Sequence, residues 1–421
     1  MKTWTLEKIN KYLLLLALAS LVFKKSSFAA THIPNPFEII FGLVLVLTLI
    51  HLIVNKKIKE FCLSIPKKTW IVLFCLIFSV ILGWAITIFL KDLKPNFNNL
   101  LEFGGFAIGI ALFVTVLFYA RNDELYIKKC LYVLLVPTIY TLFVIHPPLA
   151  QHLNLATDIT FLGLTISPSI ISKILLVPAI FFVTLSLFEM KNVWRKSGYF
   201  LIASAMVALI IWTGSRGALV SMVFAILLVG TIFVVHQFRV QKIFVGLGLI
   251  VGIIICGYFM APKYAKFGFI ARNFSEFKIG VAKNLILGKP IPQFTHDGIP
   301  LVPETRLTIW PIYFEHTLKN PLGHGPNTHM GITSSNGKYL ELGPHNSYLT
   351  IWFWGGLLGL ISFFYLLFLA FKNLKIKLEK NFDPIDVAIL GILAAVAMSI
   401  AFNDSLQFFW FWVILSLASR K

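Results

Sequence analysis

Long apolar runs, each closed by a short polar stretch, recur from one end of this chain to the other. A bilayer core about 30 Å thick needs ~20 apolar residues for a helix to cross it. Runs of roughly that length lie at 4–23, 36–54, 69–90, 101–120, 130–146, 166–188, 198–214, 217–235, 242–260, 346–371, 385–401 and 404–418. They predict an all-α polytopic membrane protein with about twelve transmembrane helices. Several runs are short or interrupted by Gly and Pro, which a helix bundle tolerates because its neighbours re-satisfy the freed backbone groups. One extended hydrophilic interval breaks the pattern between the ninth and tenth runs. The chain therefore divides into nine helices over 1–260, a large loop over 261–345 and three helices over 346–421.

Composition agrees with this reading. Of the 421 residues, 58% are hydrophobic and 13% charged, and the mean hydropathy is +0.83, which leaves too little polar surface to clothe a soluble globule. The charge is strongly positive, +19. Taking every second loop, one side of the runs holds more than half of the basic residues: Lys2, Lys8 and Lys11, then Lys56 to Lys68, Arg121 to Lys129, Lys191 to Lys196, Arg239 and Lys242, Lys372 to Lys380, and Arg420 with Lys421. The short loops of the other side hold Lys24, Lys25, Lys91, Lys94 and Arg216, with Lys173 near the start of the sixth run. Since cytoplasmic loops keep Lys and Arg, both termini are expected in the cytoplasm and the large loop outside. The same distribution argues against nucleic-acid binding, because the positive charge is juxtamembrane and not gathered on one soluble domain. The first run, followed by SSFAA, also has the pattern of a cleavable signal peptide. The four cysteines, Cys62, Cys75, Cys130 and Cys256, avoid the large loop and imply no disulfide framework. No internal repeat is found.

Candidate chemistry collects in and near the loop, which carries five of the ten histidines: His296, His316, His324, His329 and His345. Its first part places Phe267, Ile270, Phe274, Phe277 and Val281 at spacings of 3 and 4, an apolar stripe that suits a helix lying on the membrane or packed against the bundle. The stretch PETRLTIWPIYFEHTLKNPLGHGPN predicts a helix with Arg306 near its amino end and Asn320-Pro321 at its close, then a tight turn. The segment WTGSRGALVS puts Arg216 between two apolar runs separated by almost nothing, where an arginine near hydrocarbon costs about 2.5–3.5 kcal/mol and marks a functional site by default. Finally, PHNSYLTIWFWGG sets His345 and Asn346 at the point where the chain re-enters the membrane. His324 and His329 have no cysteine nearby and match no zinc spacing, so a metal-free, cofactor-free chemistry is expected.

Taken together, GSRGALV, TRLTIWPIYFEHTLKNPLGHGPN and PHNSYLTIWFWGG resemble the O-antigen ligase and polymerase superfamily of bacterial envelope enzymes, and most of all the ligases that join O-antigen to the lipid A core. That resemblance implies that the arginine of the tight turn, the arginine of the loop helix and the histidine of the HN motif are essential. They correspond to Arg216, Arg306 and His345, with Asn346, Lys173 and His316 as further substrate contacts. It also implies a donor glycan on undecaprenyl pyrophosphate, a lipid A core acceptor, and a place in the inner membrane of a Gram-negative bacterium. Arginine's planar fork suits pyrophosphate oxygens, and a histidine of ordinary pKa suits removal of a proton from a sugar hydroxyl. A polymerase acting on lipid-linked repeat units is the alternative within the superfamily. A lipid-linked glycan transporter is the alternative outside it, and would call for repeated halves and a midplane site.

Overall fold

The computed structural model describes residues 5–21, 36–90, 97–121, 123–136, 138, 159–161, 164–166, 168–189, 192–213, 215–236, 240–260, 294–296, 299–301, 306–326, 330–333, 339–402 and 409–420. Helices dominate: α1 (Leu6–Ala19), α2 (Pro36–Val54), α3 (Ile58–Ser64), α4 (Lys67–Leu90), α5 (Phe97–Ala120), α6 (Glu124–Val133), α7 (Pro168–Phe188), α8 (Val193–Trp212), α9 (Arg216–His236), α10 (Val240–Met260), α11 (Arg306–Lys319), α12 (Ser347–Lys380), α13 (Pro384–Ile400) and α14 (Phe409–Ser419). Three small antiparallel hairpins accompany them, β1 (Ile159–Phe161) with β2 (Leu164–Ile166), β3 (Phe294–His296) with β4 (Ile299–Leu301), and β5 (Met330–Thr333) with β6 (Tyr339–Leu342).

Among the described residues seven helices are long and apolar enough to cross a membrane: 36–54, 67–89, 100–120, 171–188, 193–211, 216–236 and 347–380. Three shorter apolar helices, 243–259, 384–400 and 409–419, accompany them. The first expected run is the 14-residue α1. The fifth overlaps the end of α6, and its residues from 139 on lie outside the described set, as does the expected apolar stripe at 267–281. The chain is thus a multi-pass, all-helical membrane protein. Its outward surface is apolar, with side chains such as Leu49, Phe74, Phe89 and Leu227 exposed, as a lipid-facing surface requires.

Helices far apart in sequence share the interior. α12 runs against α4, α9 packs on α13, and α13 also meets α7, α12 and α14. α14 is fully enclosed: every residue of it is buried, and Trp412 in it packs edge-on to Phe106 of α5 at 5.9 Å. Small residues allow that closeness. A β-carbon on Gly391 would stand 2.6 Å from Val229 and 2.8 Å from Ile180, so backbone approach, not side-chain bulk, sets the spacing of this part of the bundle.

The apolar run expected over 346–371 continues as a single helix to Lys380, and it is broken one third of the way along. Gly356 takes φ 62 and ψ −162, a conformation open to glycine alone. The break frees backbone groups, and the turn after α11 satisfies them: His324 N donates to Phe353 O at 2.7 Å, Gly325 N to Trp354 O at 2.9 Å, and Leu357 N to Pro321 O at 2.9 Å. The turn of residues 321–325 is therefore inserted into the gap of α12 as a substitute for a helical turn. α4 forms the floor of this socket. Thr87 Oγ1 donates to His324 O at 2.6 Å, and a β-carbon on Gly83 would run into Trp354 O and approach Gly325 N to 3.0 Å.

Candidate functional site

His345 is exposed and has φ 48, left-handed backbone that a non-glycine residue rarely adopts. Asn346, next in sequence, is the N-cap of α12, its Oδ1 accepting from Tyr348 N at 3.0 Å and Leu349 N at 3.2 Å. The cap explains the kinked entry: the helix must begin at Ser347, and the chain turns through His345 to reach it. Its side-chain oxygen is taken by the helix, so any sugar contact of Asn346 falls to its amide nitrogen.

Three ties hold this corner in place. Trp310 Nε1, on α11, donates to Pro344 O at 2.8 Å. Tyr348 Oη donates to Ala397 O near the end of α13 at 2.8 Å. Tyr313 and Phe314 of α11 meet Phe353 and Trp352 of α12 edge-on at 4.9 and 5.0 Å, contacts of the kind that add about 0.5–1.5 kcal/mol each beyond area burial. The socketed turn then closes the far end of α11, with His324 buried and stacked on Phe353 at 4.4 Å.

Arg216 is the first residue of α9 and its side chain is exposed. Its neighbour Gly217 is buried against Phe402, two residues beyond α13: a β-carbon there would stand 2.9 Å from Phe402 Cβ. The end of α13 thus receives Tyr348 of the His345 corner at residue 397 and Gly217 of the Arg216 corner at residue 402. Lys173, half-buried on α7, reaches the same place, lining a small apolar pocket with Val396, Ser399 and Ile400 of α13 and Trp410 and Phe411 of α14. Residues 173, 216 and 345, remote in sequence, are gathered around 396–402.

Arg306 opens α11, one turn before Trp310, and so belongs by its backbone to the same corner; its side chain lies outside the described set. His316 is half-buried in the last turn of α11, six residues beyond Trp310 and so about 9 Å further along the helix. Its carbonyl accepts from Asn320 Nδ2 at 3.2 Å. It sits beside the socketed turn, away from the corner of His345. Sequence reasoning passed over two contributors, the close of α13 at Ser399 to Phe402 and the Gly355-Gly356 break. Only the paired glycines inside an apolar run signalled either.

The fold defines the class: a multi-pass helical membrane protein in which the starts of α9 and α12 both meet the close of α13. Residues 199–364 match the sequence model of the family described as O-antigen ligase. That stretch includes Arg216, Arg306, His316, His345 and Asn346, so this part of the chain is similar to O-antigen ligases. Among curated proteins, none matches the chain.

Proposed function

We propose that this protein transfers an O-antigen polysaccharide from undecaprenyl pyrophosphate to a sugar hydroxyl of the lipid A core, at the periplasmic face of a Gram-negative inner membrane with both termini in the cytoplasm. The observation that carries the reading is that Lys173, the Arg216 corner and the His345 corner all meet the end of α13, with Arg216 and His345 inside the stretch 199–364 that matches the ligase family model.

In this reading the donor's prenyl chain stays in lipid while its pyrophosphate meets Arg216 and Arg306. Their guanidinium groups remain charged and fork onto phosphate oxygens. His345 takes the proton of the acceptor hydroxyl as that oxygen bonds to the sugar C1. The C1–O bond to pyrophosphate breaks in the same displacement, which inverts C1 and leaves undecaprenyl pyrophosphate. Negative charge grows on the leaving group as it departs, and cations at the edge of a low-dielectric bilayer stabilise it more there than in water. The glycosyl ester bond between C1 and the pyrophosphate, with its good leaving group, supplies the driving force, so neither a metal nor a cofactor enters the scheme. Lys173, Asn346 and His316 serve as contacts to donor or acceptor.

The test is deletion of the gene and gel analysis of lipopolysaccharide. A ligase mutant loses all O-antigen from the core. Retention of one repeat unit on the core would instead make the protein a polymerase.

A further inference from the structure

At the opposite end of the bundle from His345, α1 and the start of α6 cross and leave a half-open cleft of about 340 Å³. Its walls follow from helix spacing. Lys8, Lys11, Tyr12 and Leu15 lie on one face of α1 at intervals of three and four, and Asp123, Tyr126 and Lys129 do the same on α6. The carboxylates have set partners: Lys11 Nζ stands 3.0 Å from Asp123 and 3.6 Å from Glu7, and Glu7 is also 3.3 Å from Lys57 Nζ. Asp123 caps α6 by accepting from Tyr126 N at 2.8 Å. Burial favours the protonated form of that carboxyl, but this bond and Lys11 outweigh it and hold the pKa below the usual carboxylate value. The cleft is therefore a built structure, with Tyr126 buried and its hydroxyl donating to Lys11 O at 3.1 Å. Lys129 Nζ lies over the Tyr12 ring at 5.7 Å, which sets its ammonium at the cleft wall.

Two features indicate the ligand class. Three ammonium groups face two carboxylates, so the lining carries one excess positive charge and a single phosphodiester would balance it. Polarity also falls along the cleft: from Lys8 to Leu15 is about 10 Å of helix, running from the charged rim to the Tyr12 ring and the Leu15 side chain. A volume within the usual range for ligand pockets completes the match. A soluble phosphate has no use for the apolar end, whereas a phospholipid has a phosphate above and acyl chains below.

We infer that this cleft binds the headgroup of an anionic phospholipid, its phosphate between Lys8, Lys11 and Lys129 and its glycerol beside Tyr12 and Leu15. Basic pockets between helices at a membrane face bind lipid headgroups in this way. The site is separate from the proposed transfer chemistry and stands whether or not that reading holds.

The test uses the detergent-purified full-length protein and dioctanoyl phosphatidylglycerol, with dioctanoyl phosphatidylcholine and inorganic phosphate as comparisons. Saturable binding is expected for phosphatidylglycerol alone, weakened about 10- to 30-fold by the Lys8→Gln, Lys129→Gln double variant. Equal binding by that variant, or equal binding of phosphatidylcholine, would overturn the site, and full competition by inorganic phosphate at the lipid's concentration would overturn the lipid assignment. Should the variant fail to fold, a photoactivatable phosphatidylglycerol on the wild-type protein decides. Cross-links concentrated on peptides of α1 and α6 are expected, and cross-links spread evenly over the helices would refute the proposal.

Discussion

At the scale of single residues, His345 joins two demands that pull apart. As a proposed base it must present an imidazole, yet its backbone is left-handed, a conformation for which asparagine is among the better-suited non-glycine residues. His345→Asn therefore separates the demands. The variant is expected to reach wild-type levels in the membrane and to lose transfer by about 10²–10⁴-fold, the usual worth of a positioned acid–base group. Wild-type transfer in a purified assay would remove His345 from the chemistry. Arg216 allows a similar separation, because it is exposed at the first turn of α9 and packs little of its own bulk. Arg216→Lys keeps the charge and loses the fork, at a cost of about 1.5–3 kcal/mol per charged hydrogen bond lost. Complementation of a ligase-null strain, with protein levels followed by blot, is expected to show severe loss of attached O-antigen. Full attachment would mean that the residue only helps place the turn.

At the scale of elements, the defining feature is the turn of residues 321–325 filling the break in α12. Three backbone hydrogen bonds make the joint, and each is worth about 0.5–1.5 kcal/mol net, with a larger penalty when its groups are left unpaired. The joint needs the floor supplied by α4, where Gly83 leaves no room for a β-carbon against Trp354 O. Ordinarily Gly→Ala in a helix is stabilising by about 0.5–1 kcal/mol. Here Gly83→Ala is expected to lower stability by about 1–3 kcal/mol through overpacking, read as a drop in the thermal midpoint of the detergent-purified protein. An unchanged or raised midpoint would show that α4 and the turn are not in such close contact. Because Trp310 links α11 to Pro344, loosening the turn also loosens the approach to His345.

At the scale of the whole molecule, the end of the bundle away from the site is held by charge. Asp386 at the start of α13 is fully buried and pairs with Arg420, also buried, and with Lys377 of α12 at 3.1 Å. Removing the carboxylate would strand two cations, so Asp386→Asn is expected to cost about 3–5 kcal/mol, visible as early thermal unfolding or loss of the protein from the membrane. Replacement without effect would mean that water or lipid phosphate reaches this corner. None of that pairing could be seen beforehand, since Lys377 and Arg420 read in sequence as cytoplasmic-side charges and Asp386, at the head of an apolar run, names no partner. Seven of the expected spans are found among the described residues, and they were legible because bilayer thickness fixes the length of an apolar run and the run is a local property of the chain. Arg216 stood out as a candidate because a costly charge at a membrane boundary is conspicuous wherever it falls, whereas Arg306 stood out only through the resemblance of its surrounding motif. What the sequence by itself determined, then, is that this is a multi-pass helical membrane protein with ionisable residues at one boundary. Only the tertiary structure decided that the end of α13 gathers Lys173, Arg216 and the His345 corner, and that a distant turn mends the broken α12. Those arrangements depend on backbone contacts between segments far apart in the chain, and such contacts leave no periodicity behind for a local reading to find.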